Sequence, residues 1–427
     1  MFRVLFFTIW MIFFTGCHAE KDDYKIVENI ADGSHLYDAF DSINFWREKG
    51  GLEPFTRNST LDESTFYHTH YQQYRKISHL EESSNDYWFR GVDVAARVKS
   101  AGYNYKGVLE NIAYASSEKE SVQNLMTAIY HRFAFYSFYH DQIGLYGLNH
   151  AFSDGIGIYT FNMGFSQMDI ECSAFGLLGF KEGISGLCAD ETVIINERTY
   201  TRVLSEQAEK QNNIVIYPYD RAIDVPPAFY EELPDPLPML SMSGNPISIQ
   251  FNPTITKEIK ILEFNLTKFG SNTSLEVIAM DEKSDPNSKF DDHQFAYFPK
   301  NRLQYKSKYV AQFSYQLGDE AKQTRSTTFI TTTFDETLFE INSSSREIEV
   351  NASESFVLYF GEISSLNNEQ HIGDLTINTL DKQGEAKVNI KMIDNLTYRI
   401  KVAEGVGRYE VNLDNSIKEQ KVILSLF

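Results

Sequence analysis

The spacing of apolar residues changes once along this chain, and that change limits the folds open to it. From about residue 34 to 165 they recur at helical spacing between short strand-like runs; beyond about 214 they alternate with period two. Leu36, Phe40 and Ile43 share one helical face, which Gly50-Gly51 terminates. Thr60 with Glu63 has the form of a capping box and predicts a second helix through about Lys76. A third helix is expected near 93–100, and Ser117 with Glu120 opens a fourth, striped by Val122, Leu125, Met126 and Ile129. Strands are expected at 111–115, 142–148 and 156–162.

Residues 166–213 read as a connector with one short helix, and Pro234-Asp235-Pro236-Leu237-Pro238 lies in a proline-rich entry to the β-rich remainder. Ile247, Ile249 and Phe251, then Tyr309, Ala311, Phe313 and Tyr315, alternate as sandwich strands do; Val388, Ile390 and Met392 repeat the pattern later. The chain is therefore expected to be α+β: an N-terminal α/β/α sandwich at 34–165, followed by two all-β sandwich domains at 214–334 and 335–427. A length of 427 residues accommodates several such cores. Neither β region shows a carboxylate cluster, an aromatic ladder or a phosphate loop, so both read as spacers or interaction modules.

The N-terminus sets the expected location. Arg3 precedes an apolar run, Val4 to Phe14, too short to span a bilayer but long enough for a signal-peptide core. The run ends in Phe14-Thr15-Gly16-Cys17, which has the form of a lipobox, so a signal peptide at 1–17 and lipidation of Cys17 are expected. Cleavage after Ala19 is the alternative. His18, in place of an Asp after the cysteine, tilts the expectation from the inner toward the outer membrane or cell surface. A net charge of -20 without basic runs excludes a nucleic-acid surface. Cys172 and Cys188 remain in the mature fold, either as a disulfide or as two buried thiols.

Several short sequences fall in the order of a known family. They are Asn44 and Arg47 with Gly51-Leu52-Glu53-Pro54, Ser78-His79, Gly102-Tyr103, Glu110-Asn111-Ile112-Ala113, His131-Arg132 and Ile143-Gly144. In this order the chain resembles the CAP superfamily, the group of cysteine-rich secretory proteins, venom antigens and pathogenesis-related proteins, in its bacterial form. The resemblance covers under a third of the chain. It implies a CAP (SCP-like) domain with a cleft gathering His79, Glu110 and His131, while a fourth family position falls near Ala128 and is not filled. The region at 214–334 more loosely resembles the Ig-like modules that follow such domains.

Two imidazoles and a carboxylate in one cleft would suit a divalent ion such as Zn. Each residue also has a plainer reading: His79 and His131 as helix-end residues near the dipole, Glu110 as an exposed edge residue. No Ser-His-Asp order and no His-Glu-x-x-His helix is visible, so the expected function is binding of a small ligand, lipid or cell-wall component by an envelope lipoprotein. A metal-dependent hydrolase acting on peptide or cell-wall material is the alternative. Expected partners are the membrane, through the lipid, and a wall, lipid or protein component.

Overall fold

The computed structural model describes residues 37–426 apart from 76–77, 83, 153–154, 174–182, 342–344, 352–353, 362–374 and 414–419. Cys17 and the expected signal peptide at 1–17 lie outside the described residues. The fold is mixed α and β, with strands predominating.

The first unit holds α1 (Tyr37–Gly50), β1 (Thr56–Arg57), α2 (Ser59–Tyr74), α3 (Val94–Ala101), β2 (Leu109–Ala115), α4 (Glu118–Thr127), α5 (Ile129–Phe135), β3 (Gln142–Leu148), β4 (Gly157–Gly164), α6 (Ser166–Ser173) and α7 (Glu197–Ala208). Its sheet runs β1-β3-β4-β2 between two helical layers. Strand alternation decides what each layer meets. Ala113, Ala115, Ile143, Leu145, Tyr159, Phe161 and Met163 join residues of α1 and α4 in one apolar core. Each fully buried aromatic or aliphatic side chain there contributes about 1.5–3 kcal/mol.

The opposite sheet face is polar around Thr160 and Asn162 and apolar at its other end, where Leu148 and Ile158 cluster. Thr160 accepts hydrogen bonds from Thr69 Oγ1 at 2.8 Å and Gln72 Nε2 at 3.2 Å, both on α2. This helix buries Ser64, Thr65, His68, Thr69, Gln72 and Gln73. It sits so close that a Cβ at Gly144 would lie 2.1 Å from the Leu61 carbonyl carbon, which only glycine relieves.

Local starts differ from the sequence expectation in one detail. Asn58 caps α2, accepting from the amides of Thr60 and Leu61, because its amide oxygen reaches the free N–H groups before Thr60 can. The expected fourth helix also breaks at Ala128, whose extended ψ of 116° separates α4 from α5. The segment expected as a connector, 166–213, carries α6 and α7. Met168, Cys172, Cys188, Val193, Ile195 and Val203 from it share a core with Leu61, Val98 and Tyr103. Cys172 and Cys188 are disulfide-bonded within this core.

The second unit holds β5 (Ile214–Tyr217), β6 (Ala222–Val225), β7 (Ala228–Phe229), β8 (Ser243–Gly244), β9 (Ile247–Phe251), β10 (Ile259–Lys268), β11 (Val277–Met280), β12 (Gln294–Pro299), β13 (Lys308–Leu317) and β14 (Gln323–Thr331). Two four-stranded sheets, β10-β13-β14-β6 and β11-β12-β9-β5, form a sandwich. Residues of β9 on the inner face, Ile249 and Phe251, meet Phe313 and Tyr315. The alternate residues Ser248 and Gln250 are buried too, because the first unit covers that face.

The third unit holds β15 (Thr337–Ile341), β16 (Ser345–Val350), β17 (Ser355–Phe360), β18 (Leu375–Asp394), β19 (Thr397–Leu413) and β20 (Gln420–Leu426). It differs from a sandwich of two separate sheets. One six-stranded sheet runs through it, because the long β19 pairs with β17 near its start and with β20 near its end. Ile348 and Val350 of β16 pack in the same core as Phe356 and Leu358 of β17.

Candidate functional site on the first sheet

Glu110, the second residue of β2, lies on the polar part of this face, and its carboxylate is enclosed by three elements. Arg97 Nη2, from α3, lies 2.7 and 2.8 Å from its two oxygens. His79 Nδ1 lies 2.9 Å from Oε1, and Arg97 Nη1 donates to the His79 carbonyl at 3.0 Å. In the amide orientation of Asn162 that satisfies both neighbours, Nδ2 donates to Glu110 Oε2 at 3.0 Å and Oδ1 accepts from Ser64.

A second carboxylate backs the first. Glu81 accepts from the backbone N–H of Arg90 at 2.8 Å and sits 2.8 Å from His68 Nδ1. His68 Nε2 points toward Glu110 Oε1 at 3.8 Å, beyond hydrogen-bond reach, and has no partner. His68, Glu81 and Arg97 are fully buried, whereas the His79 side chain is 45% exposed. His79 is thus the solvent-facing member of an otherwise buried polar cluster. Burial alone would raise the Glu110 carboxyl, but Arg97, His68 and His79 override it and hold it well below the usual carboxylate range.

His131 is elsewhere. Its Nδ1 lies 2.8 Å from Glu232 Oε2 of the second unit, and Glu232 also accepts from the amides of Ile129 and Tyr130 at the start of α5. Asn111, next to Glu110, donates to the His131 carbonyl at 2.9 Å. Adjacent strand residues face opposite sides of a sheet, so Glu110 and Asn111 reach α3 and α5 respectively. The expectation of one cleft gathering His79, Glu110 and His131 is corrected accordingly: His79 and Glu110 meet, and His131 does not join them.

The neighbouring Arg132 completes a contact with the second unit. It donates to the Pro246 carbonyl at 2.8 Å, Ser248 Oγ at 3.1 Å and Asn245 Oδ1 at 3.1 Å, with its guanidinium 3.7 Å over the Tyr217 ring. Burial lowers its pKa to about 10, so it stays charged at neutral pH. The His131-Arg132 pair therefore fastens two units together.

These residues do not fit a Zn site. Glu110 already accepts from Arg97, His79 and Asn162, and a cation there would lie against a buried guanidinium. Among the described residues the one group of three ligand atoms close enough for a metal is Asp291, Asp292 and His293. Both His293 nitrogens are engaged there, by Asp292 and by the Ile255 carbonyl. No helix among the described residues is long and apolar enough to cross a membrane.

Sequence reasoning missed Arg97, Glu81 and His68. The signal was an arginine inside the short stripe of α3, where it is fully buried beside Val98. His70, two residues from His68, faces the other way and stacks on Trp88 at 4.2 Å.

No family model and no curated protein matches the chain. Among solved structures it is similar to an outer surface protein from Borrelia burgdorferi, with 18% identity over 32% of this chain and 98% of that one and a TM-score of 0.27. An endo-fucoidan hydrolase of glycoside hydrolase family 107 covers 55% of this chain and 38% of its own, at 9% identity and a TM-score of 0.21. The N-terminal Ig module of a Drosophila receptor protein tyrosine phosphatase covers 51% of this chain and 100% of its own, at 10% identity and a TM-score of 0.15. Overlaps this slight carry no functional argument.

Proposed function

We propose that the chain is an exported, lipid-anchored envelope protein whose His79–Glu110 pocket binds a small ligand, lipid or cell-wall component without turnover. One observation supports the binding reading above the hydrolytic one: both oxygens of Glu110 are already committed to donors. A carboxylate so held, with its pKa depressed, is a poor general base near neutral pH. With Nδ1 turned to Glu110, His79 presents Nε2 outward as the group a ligand would meet. Among the described residues no hydroxyl or thiol hydrogen-bonds to that nitrogen, so no activated nucleophile accompanies it. The two β units extend or dock the first.

The test uses the intact protein with two probes, dansyl-undecanoic acid and soluble muropeptides, in wild type and His79→Ala. Binding of one probe, weakened about tenfold by the variant with the muropeptides left intact after incubation, is the expected result. Binding of both probes unchanged in the variant would contradict the pocket, and cleavage of the muropeptides would contradict binding without turnover. Labelled palmitate should enter the wild type and fail to enter Cys17→Ala.

A further inference from the structure

A cleft of about 370 Å³ lies where the three units meet, remote in sequence from the His79 pocket and lined by α4, the 224–230 and 332–334 segments, Tyr305 and the β18–β19 turn region. We infer that this cleft binds a neutral, polyhydroxylated ligand of the saccharide class. Its volume falls within the range of small-molecule sites, about 300–1,000 Å³, which favour junctions between domains.

The floor is built and rigid. Asp394 of the third unit accepts from Arg302 Nη2 at 2.6 Å, Tyr305 OH at 2.5 Å and Tyr230 OH at 2.9 Å, all three from the second unit. Arg302 and Tyr305 are more than nine-tenths buried, and Arg302 lies between the Tyr305 and Tyr359 rings at 4.2 and 4.3 Å. This network fixes the lining without leaving a net charge on the floor.

The lining selects the ligand class. Its cationic and acidic side chains number three each, so the cleft has no charge to offer a strongly ionic ligand. Tyr230 and Phe334, both partly exposed, supply flat apolar faces, suited to the C–H face of a sugar ring. Gln123 and Asn124 on α4 supply planar amides that both donate and accept, as hydroxyl groups require. Asn124 is exposed, and its side-chain amide has no hydrogen-bond partner among the described residues.

Isothermal titration of the full chain with chitotriose, cellotriose and maltotriose tests this. At least one should bind, and Asn124→Leu, an exposed change, should weaken that binding about tenfold. Thr333→Trp, also exposed and at the cleft wall, should block it, while His79→Ala should leave it unchanged. Melting temperatures of the variants verify that each is folded. Binding by none of the three sugars, binding unchanged in both cleft variants, or binding of trigalacturonate alone would overturn the inference.

Discussion

Two parts of the sequence resemblance have different physical settings. At His79 and Glu110 two carboxylates, a guanidinium and two imidazoles are gathered within one unit, and one ring of the cluster faces water. At His131 and Arg132 a histidine and a guanidinium are spent on another unit: a carboxylate for one, carbonyls and an aromatic ring for the other. The same residue types therefore form a buried polar cluster in one place and a joint in the other. What separates them is the one-residue step from Glu110 to Asn111 along β2, which turns from one face of the sheet to the other.

The largest expected effect breaks the pocket. Arg97→Met leaves Glu110 and Glu81 buried without their cation, and urea unfolding should show a loss of about 3–5 kcal/mol. Glu232→Gln strikes the joint and should cost less, about 1–3 kcal/mol, since the neutral amide still offers an acceptor to the start of α5. Limited proteolysis of that variant should cut earlier between residues 230 and 242 than in the wild type.

Acid titration separates a third region from the pocket. Burial holds His70 at about 4, below its unfolded value of about 6.5. A lowered histidine stabilises the fold above its unfolded value, and that contribution is lost as pH falls from about 6.5 toward 4. Glu110, also held low, contributes fully above about 4.3 and loses its contribution only as pH falls further, through its folded value. His140, which burial likewise holds at about 4, adds to the first limb. In urea melts, His70→Phe should flatten the first limb and Glu110→Gln the second; a swap of these effects would contradict the pocket's electrostatics.

Much of the first unit was legible because its signals are local. The starts of α3 and α4 follow Asp93 and Ser117 as side-chain caps, and β3 spans the expected 142–148. The break at Ala128 was not legible, since α5 is capped by Glu232, over a hundred residues away. The role of His131 was hidden for the same reason: a dipeptide cannot show which partner a distant segment brings to it. The 166–213 segment, read as a connector, is instead anchored to the first unit, where Cys172, Cys188 and Val203 share a core with Leu61 and Tyr103. In the third unit the alternation of apolar residues marked strands but could not reveal that β19 serves both ends of one sheet.

Paired substitution measures the central claim, that His131 belongs to the joint and not to the pocket. Urea unfolding of His131→Ala, Glu232→Ala and Glu110→Ala, singly and in pairs, gives two coupling energies. The account predicts coupling of about 0.5–3 kcal/mol between His131 and Glu232, and His131 with Glu110 additive within about 0.5 kcal/mol. Strong coupling of His131 to Glu110 with none to Glu232 would contradict it and restore a single cleft.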